Sequence, residues 1–130
     1  MSFRTAILLA ASLSLLFIAR AHATPDFEAS ALPEPKAELV VVEARGCKYC
    51  GLFRRNVLPL YAISPRAREV PLRFVGLAAA KSGKLSLTTP IDVLPTILLL
   101  RDGREVGRIP GYLAPENFFH SINYLLSRTR

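Results

Sequence analysis

The apolar and polar positions of this chain fall into blocks of different period, and the blocks divide it into three parts. Thr5 to Ala19 reads TAILLAASLSLLFIA, an uncharged apolar run preceded by the basic start MSFR and followed by AHA at Ala21–Ala23, a small-residue cleavage pattern. The run is shorter than the roughly 20 residues a helix needs to cross a bilayer. Residues 1–23 are therefore expected to be an export signal, with no stable membrane insertion once it is cleaved. No cysteine stands at the cleavage point, which disfavours a lipid anchor. Thr24 to Lys36 (TPDFEASALPEPK) has three prolines and no apolar period, so it reads as a flexible leader, 24–36, ahead of a single domain, 37–130.

Within the domain the period switches repeatedly. Val40, Val41 and Val42 form a β-branched run too short for a helix, as in a strand covered on both faces. Leu52, Phe53, Val57, Leu60 and Tyr61 then recur at helical spacing, with Pro59 expected to kink or end that helix. Val70–Leu77 (VPLRFVGL) predicts a second strand, whereas Ala78–Asp92 shows no clear period. Thr96–Arg101 (TILLLR) predicts a strand, Asp102-Gly103 a hairpin turn, and REVGRIP its antiparallel partner. A last helix is expected from Pro115, with Phe118, Phe119, Ile122, Leu125 and Leu126 on one face. This order predicts an α/β domain, a mixed central sheet flanked by helices.

Charge narrows the partners. The chain carries 17 Lys and Arg against 10 Asp and Glu, and Arg4 and Arg20 leave with the signal. The remaining excess is scattered through Arg54-Arg55, Arg66-Ala67-Arg68, Lys81 and Lys84. It lacks the concentrated, aromatic-interleaved stripe of a nucleic-acid binder, so no nucleic-acid partner is expected. It predicts a soluble surface with some preference for acidic partners.

The chemistry candidate is ARGCKYCGLFRR, which holds the only two cysteines, Cys47 and Cys50. Structural zinc needs four ligands, and only His120 remains after export, so no metal is expected. A c-type haem tether needs histidine after the second cysteine, where Gly51 stands. A structural staple remains an alternative, although a bridge across two residues restrains little of the unfolded chain. The other reading is a redox pair, with no cofactor required. At a helix start the sulfur of Cys47 faces unpaired amides and the positive end of the helix dipole, and Lys48 adds a cation. Together these could bring a thiol from about 8.5 to near neutrality. Cys50, one turn further in, is expected to stay protonated until it resolves a mixed disulfide formed by Cys47.

CxxC opening a helix after an apolar strand, VLPT at Val93–Thr96 before another, the Asp-Gly hairpin, then Gly111-Tyr112 and a terminal amphipathic helix together resemble the thioredoxin superfamily over nearly the whole mature length, Thr24 to Arg130. More narrowly, EARGCKYC, PLY and GREVGRIPGY resemble the periplasmic SoxS-type thioredoxin-like proteins of bacterial sulfur-oxidation (Sox) systems. The resemblance implies a cis Pro95 beside the cysteines, and pairing of the Leu94 backbone with an extended substrate segment. Two features depart from thioredoxin. Gly46 stands where it has a tryptophan before the first cysteine, and Val41 where it has a buried aspartate. Glu43 is the candidate substitute for that acid if it points at Cys50, against an ordinary strand-end glutamate, and Tyr49, in place of the usual proline, either lines the groove or covers the helix start.

The function expected is a periplasmic thiol–disulfide oxidoreductase reducing a protein disulfide, with electrons from a membrane thiol reductase. A monomer is expected. The rivals are an oxidant or isomerase for folding proteins, and a non-catalytic redox-sensing module.

Overall fold

The computed structural model describes residues 36–129. The expected export signal and all of the leader except Lys36 lie outside them. Four strands, β1 (Ala37–Glu43), β2 (Leu72–Gly76), β3 (Thr96–Arg101) and β4 (Arg104–Pro110), form one mixed sheet in the order β2-β1-β3-β4. β1 is parallel to β2 and antiparallel to β3, which is antiparallel to β4.

Strand periodicity assigns the core. Successive side chains of a strand point to opposite faces, so Ala37, Leu39, Val41, Ile97 and Leu99 pack into one cluster. Val40, Val42, Leu98 and Leu100 pack into another, on the opposite face. Leu39 to Val42 are all fully buried, as the valine run predicted for a strand covered on both sides.

Helices cover the first face. α1 (Lys48–Leu52) passes through a π-helical stretch (Phe53–Val57) into α2 (Leu58–Ala62), and Leu58 N–H donates to Phe53 O. Pro59 accounts for the widened turn. It has no N–H for the carbonyl four residues back, that of Arg55, and its ring would clash with it in a regular helix. The expected kink is therefore a π stretch after which the helix resumes. It also shifts the phase, because Tyr61 is buried while Leu60 is 46% exposed, against the expectation of one shared apolar face. α3 (Arg66–Glu69) was not legible in the sequence, and β2 is shorter than Val70–Leu77 because Val70 closes α3. α5 (Pro115–Arg128) buries Phe118, Ile122 and Leu126. Its Phe118 ring meets Phe53 edge-on at 5.4 Å and Tyr61 at 5.9 Å. Tyr61 donates its hydroxyl to Val70 O, and burial pushes its phenol up to about 12.

The second face is covered by the segment without clear period. α4 (Leu77–Ala79), a π-type turn over Ala80–Lys84 and an irregular run to Ile91 lay Leu77, Ala80, Leu85, Leu87 and Ile91 against the sheet. Glu105 ties this run down. Its Oε2 accepts from the Thr88 amide at 2.8 Å, while Arg108, bound to both Glu105 oxygens, donates to the carbonyls of Thr89 and Pro90. At the far end of β3, Asp102 (φ 49°) and Gly103 (φ 75°) both adopt the left-handed conformation of a type I′ turn, as the Asp-Gly pair predicted.

Candidate redox site

β1 ends at Glu43, and a short loop carries the chain into α1. Gly46 turns with φ +73°, a conformation that a side chain would strain, so the tryptophan of thioredoxin has no place here. Cys47 follows as the extended N-cap (φ −70°, ψ 105°). Its Sγ accepts from the Cys50 amide at 3.2 Å, the contact expected of an N-capping atom. Cys47 and Cys50 form a disulfide with their Cα atoms 5.3 Å apart. The two residues differ in access: Cys47 is part-exposed, whereas Cys50 is 4% exposed.

The pair lies in a shallow recess of about 330 Å³ lined also by Glu43, Ala44, Arg45, Gly46, Gly51, Arg54 and Gly76. Glu43 thus reaches the cysteines' surroundings, but both of its oxygens are engaged by Arg54, at 2.6 and 2.9 Å. The guanidinium of Arg54 lies 3.6 Å from the centroid of the Phe74 ring, a cation–π contact that fixes it against β2. The Glu43 hydrogen bond raises the pKa of Arg54 above its ordinary value, against a smaller effect of burial. Val41, at the place of the buried aspartate of thioredoxin, is fully enclosed in the core.

The remaining candidates spread around the pair. Lys48 and Tyr49 are exposed, Tyr49 by 55%, with its ring toward solvent at the helix start. The Leu94–Pro95 peptide is cis. Thr96 pairs with both Val42 and Pro110, so Pro95 enters the sheet at the end where β1 delivers the cysteines. Pro95 is buried and its carbonyl accepts from the Gly111 amide at 2.7 Å. Leu94 is partly buried against the second core cluster. Among the described residues, its backbone N–H and C=O are in no backbone hydrogen bond outside the regular elements.

Arg45, Arg54 and Gly76 were missed as site residues, because the arginine pair at 54 and 55 reads as solvated surface. A signal was present. Positions 47, 50 and 54 follow i, i+3, i+7 and lie along one face of a helix, so Arg54 falls beside the cysteines.

A family model described as a thioredoxin-like domain matches residues 28–126. The chain belongs to the thioredoxin-like family. Its match begins inside the stretch expected to be the leader. The fold is that of the periplasmic thioredoxin SoxS from Paracoccus pantotrophus in its reduced form. That structure shares 24% identity at a TM-score of 0.67, over 72% of this chain and 99% of that one. The thioredoxin of Malassezia sympodialis is 18% identical at a TM-score of 0.55, over 69% of this chain and 75% of the other. Fasciola hepatica thioredoxin is 20% identical at 0.50, over 69% and 81%. No curated protein sequence matches the chain. A thioredoxin-like domain with a bridged CxxC at a helix start is a thiol–disulfide oxidoreductase, acting on protein thiols and disulfides. Among the described residues no helix is long and apolar enough to cross a membrane.

Proposed function

We propose that the protein is an exported, monomeric reductase of protein disulfides, working in the periplasm in a sulfur-oxidation or related pathway. Cys47 is its nucleophile and Cys50 its resolving thiol. The observation that carries the assignment of roles is the asymmetry of the pair. Cys47 is part-exposed and its sulfur accepts an amide hydrogen bond, while Cys50 is buried.

The cycle follows from that asymmetry. In the reduced protein the Cys47 thiolate attacks one sulfur of a substrate disulfide; that bond breaks, and the first substrate thiolate leaves and takes up a proton. Cys50 then gives up its proton and attacks Sγ of Cys47 in the mixed disulfide, releasing the second substrate thiol. Two electrons have passed to the substrate, and the protein is left with the Cys47–Cys50 disulfide seen here. A dithiol donor must return two electrons and two protons. The periplasm is kept oxidising and holds no thiol buffer, so a membrane thiol reductase is the donor that fits. In this reading the Leu94 backbone pairs with the substrate chain, Pro95 and Tyr49 border the groove, and Lys48 and Glu43 modulate the thiol.

The basic-start, apolar and small-residue pattern of residues 1–23 supports the compartment, and the resemblance of EARGCKYC and GREVGRIPGY to SoxS-type proteins supports the pathway. The Paracoccus pantotrophus neighbour, a periplasmic thioredoxin, supports the compartment.

The test is a Cys50→Ser trap expressed with its native leader in the source bacterium. Cys47 can still attack but cannot be released, so mixed disulfides with sulfur-oxidation proteins should accumulate in the periplasmic fraction. Recovery of newly secreted folding proteins instead would overturn the reductase role. The reduction potential of the wild-type pair provides a second readout. It is expected near the thioredoxin value of about −270 mV, whereas a value near the about −120 mV of a strong oxidant would assign the opposite direction.

A further inference from the structure

Charge is distributed unevenly around the redox pair. From Ala44 to Arg68 the chain carries six Lys and Arg and no carboxylate. Arg45 lines the recess that holds Cys47 and Cys50. Lys48 follows the nucleophile directly and is exposed. Arg55 leans over the same edge: a Cβ placed on Gly51, which lines the recess, would stand 3.2 Å from its Nη1. An adjoining recess shares Glu43, Ala44, Arg45 and Gly76 and extends to Lys81.

Glu43 is the one acid in these linings, and Arg54 occupies both of its oxygens. Arg54, Arg66, Arg73 and Arg108 are each paired to a carboxylate. Among the described residues, by contrast, Arg45, Lys48 and Arg55 have no hydrogen-bonding or ionic partner. Asp92, close in sequence to the cis bond, is answered by Arg108. Fixed cations of one sign around a recess raise the local concentration of opposite charge and the rate of encounter.

We propose that Arg45, Lys48 and Arg55 form a cationic rim that selects an acid-rich, extended protein segment carrying the disulfide to be exchanged. The proposal rests on the thiol–disulfide exchange described above and names the chemistry of its substrate. A segment is required because the cis Leu94–Pro95 edge offers backbone groups to an extended chain, while the rim supplies charge beside the attacking sulfur. Its acidic side chains would flank the target cysteine and meet three cations, while Glu43, paired with Arg54, adds no net negative charge to the recess.

The experiment measures single-turnover exchange between the reduced protein and three matched peptide disulfides with glutamate, glutamine or lysine flanks. At low salt the glutamate peptide is expected to react about tenfold faster than the lysine peptide, with glutamine between, as electrostatic steering allows. At 1 M salt the Debye length falls to about 3 Å, and the preference should shrink below about twofold. Arg45→Glu combined with Arg55→Glu should invert the order, whereas Arg45→Lys with Arg55→Lys should keep it. Equal rates for the three peptides, or a preference insensitive to salt, overturn the rim and leave the oxidoreductase reading standing. Failure to attack any of the three overturns both. A small anionic disulfide accelerated as much as the glutamate peptide would show steering of charge alone and overturn the docked segment.

Discussion

Two arginine–carboxylate pairs in this protein use the same chemistry in opposite settings. Glu105 and Arg108 keep 2% and 19% of their side chains exposed, and they bind the loop that covers the second face of the sheet. Glu43 and Arg54 keep 24% and 45% and stand at the edge of the redox recess. Burial decides what each can do. The first pair is the more desolvated: Glu105 left alone is a buried charge, while Arg108 left alone keeps only the carbonyls of Thr89 and Pro90 and an edge of solvent. The second is largely hydrated, so its value to stability is small, and its charges remain available to the chemistry beside them.

The largest effect expected is therefore at Glu105. Glu105→Ala removes the counter-charge of Arg108 and releases the Thr88 amide, and should cost about 3 kcal/mol, the low end of the range for breaking a buried pair from one side, since Arg108 keeps the Thr89 and Pro90 carbonyls. Urea denaturation measures the loss, and hydrogen exchange should show it first in residues 85–91. Removal of Glu43 would match it only if the two settings were equivalent.

Acid should separate the pairs next. Burial alone would raise the Glu105 carboxyl, but hydrogen bonds from Arg108 and the Thr88 amide outweigh it and hold it below its ordinary range. A carboxyl with a depressed folded pKa adds stability above its unfolded value, about 4.3, and that contribution is lost as pH falls through the folded one. Stability should thus fall on acidification from about pH 5 downward, and Glu105→Gln should lack that part of the fall. A wild-type curve parallel to the variant's would refute the assignment.

The same contrast marks what could be read in the sequence. The four strands, the Asp-Gly hairpin, the helix after the cysteines and the α5 face were legible, because each rests on a local signal: a valine run, a turn dipeptide, a 3.6-residue period. The cover of the second face was not. Leu77, Ala80, Leu85, Leu87 and Ile91 are spaced by short turns, and only the sheet beneath gives them a common side. Neither arginine pair was legible as a pair. Glu105 and Arg108 are three residues apart on a strand, where alternation alone would point them to opposite faces. Glu43 and Arg54 are joined only once the end of β1 meets the π stretch that follows α1. Cys47 and Cys50 stood out because their chemistry is in their spacing; the π stretch hid Leu60's exposure because it breaks the period from which its burial was inferred.

A smaller effect is expected at Arg54. Arg54→Met removes an exposed ion pair and a cation–π contact, and should cost about 1 kcal/mol by denaturation. It should also leave the Glu43 carboxylate bare beside the cysteines, which disfavours the thiolate of reduced Cys47 and slows its alkylation by iodoacetamide at neutral pH. A destabilised variant whose alkylation is unchanged would make Arg54 a packing residue only.

Glu43→Gln completes the comparison with the least change in stability, under about 0.5 kcal/mol for a hydrated pair. Its effect on the thiol should run the other way. The amide can still accept from Arg54, so the guanidinium stays on Phe74, but one negative charge leaves the recess. The field at Cys47 becomes more positive and its thiolate is favoured, so alkylation of the reduced protein should quicken by about two- to threefold at low salt. The gain should fade at high salt, because screening acts on charges that water reaches. Opposite signs for Glu43→Gln and Arg54→Met in one assay, at nearly unchanged stability for the first, identify an electrostatic role for the exposed pair. Equal signs would mean that both substitutions disturb the loop holding Cys47 rather than the charge around it.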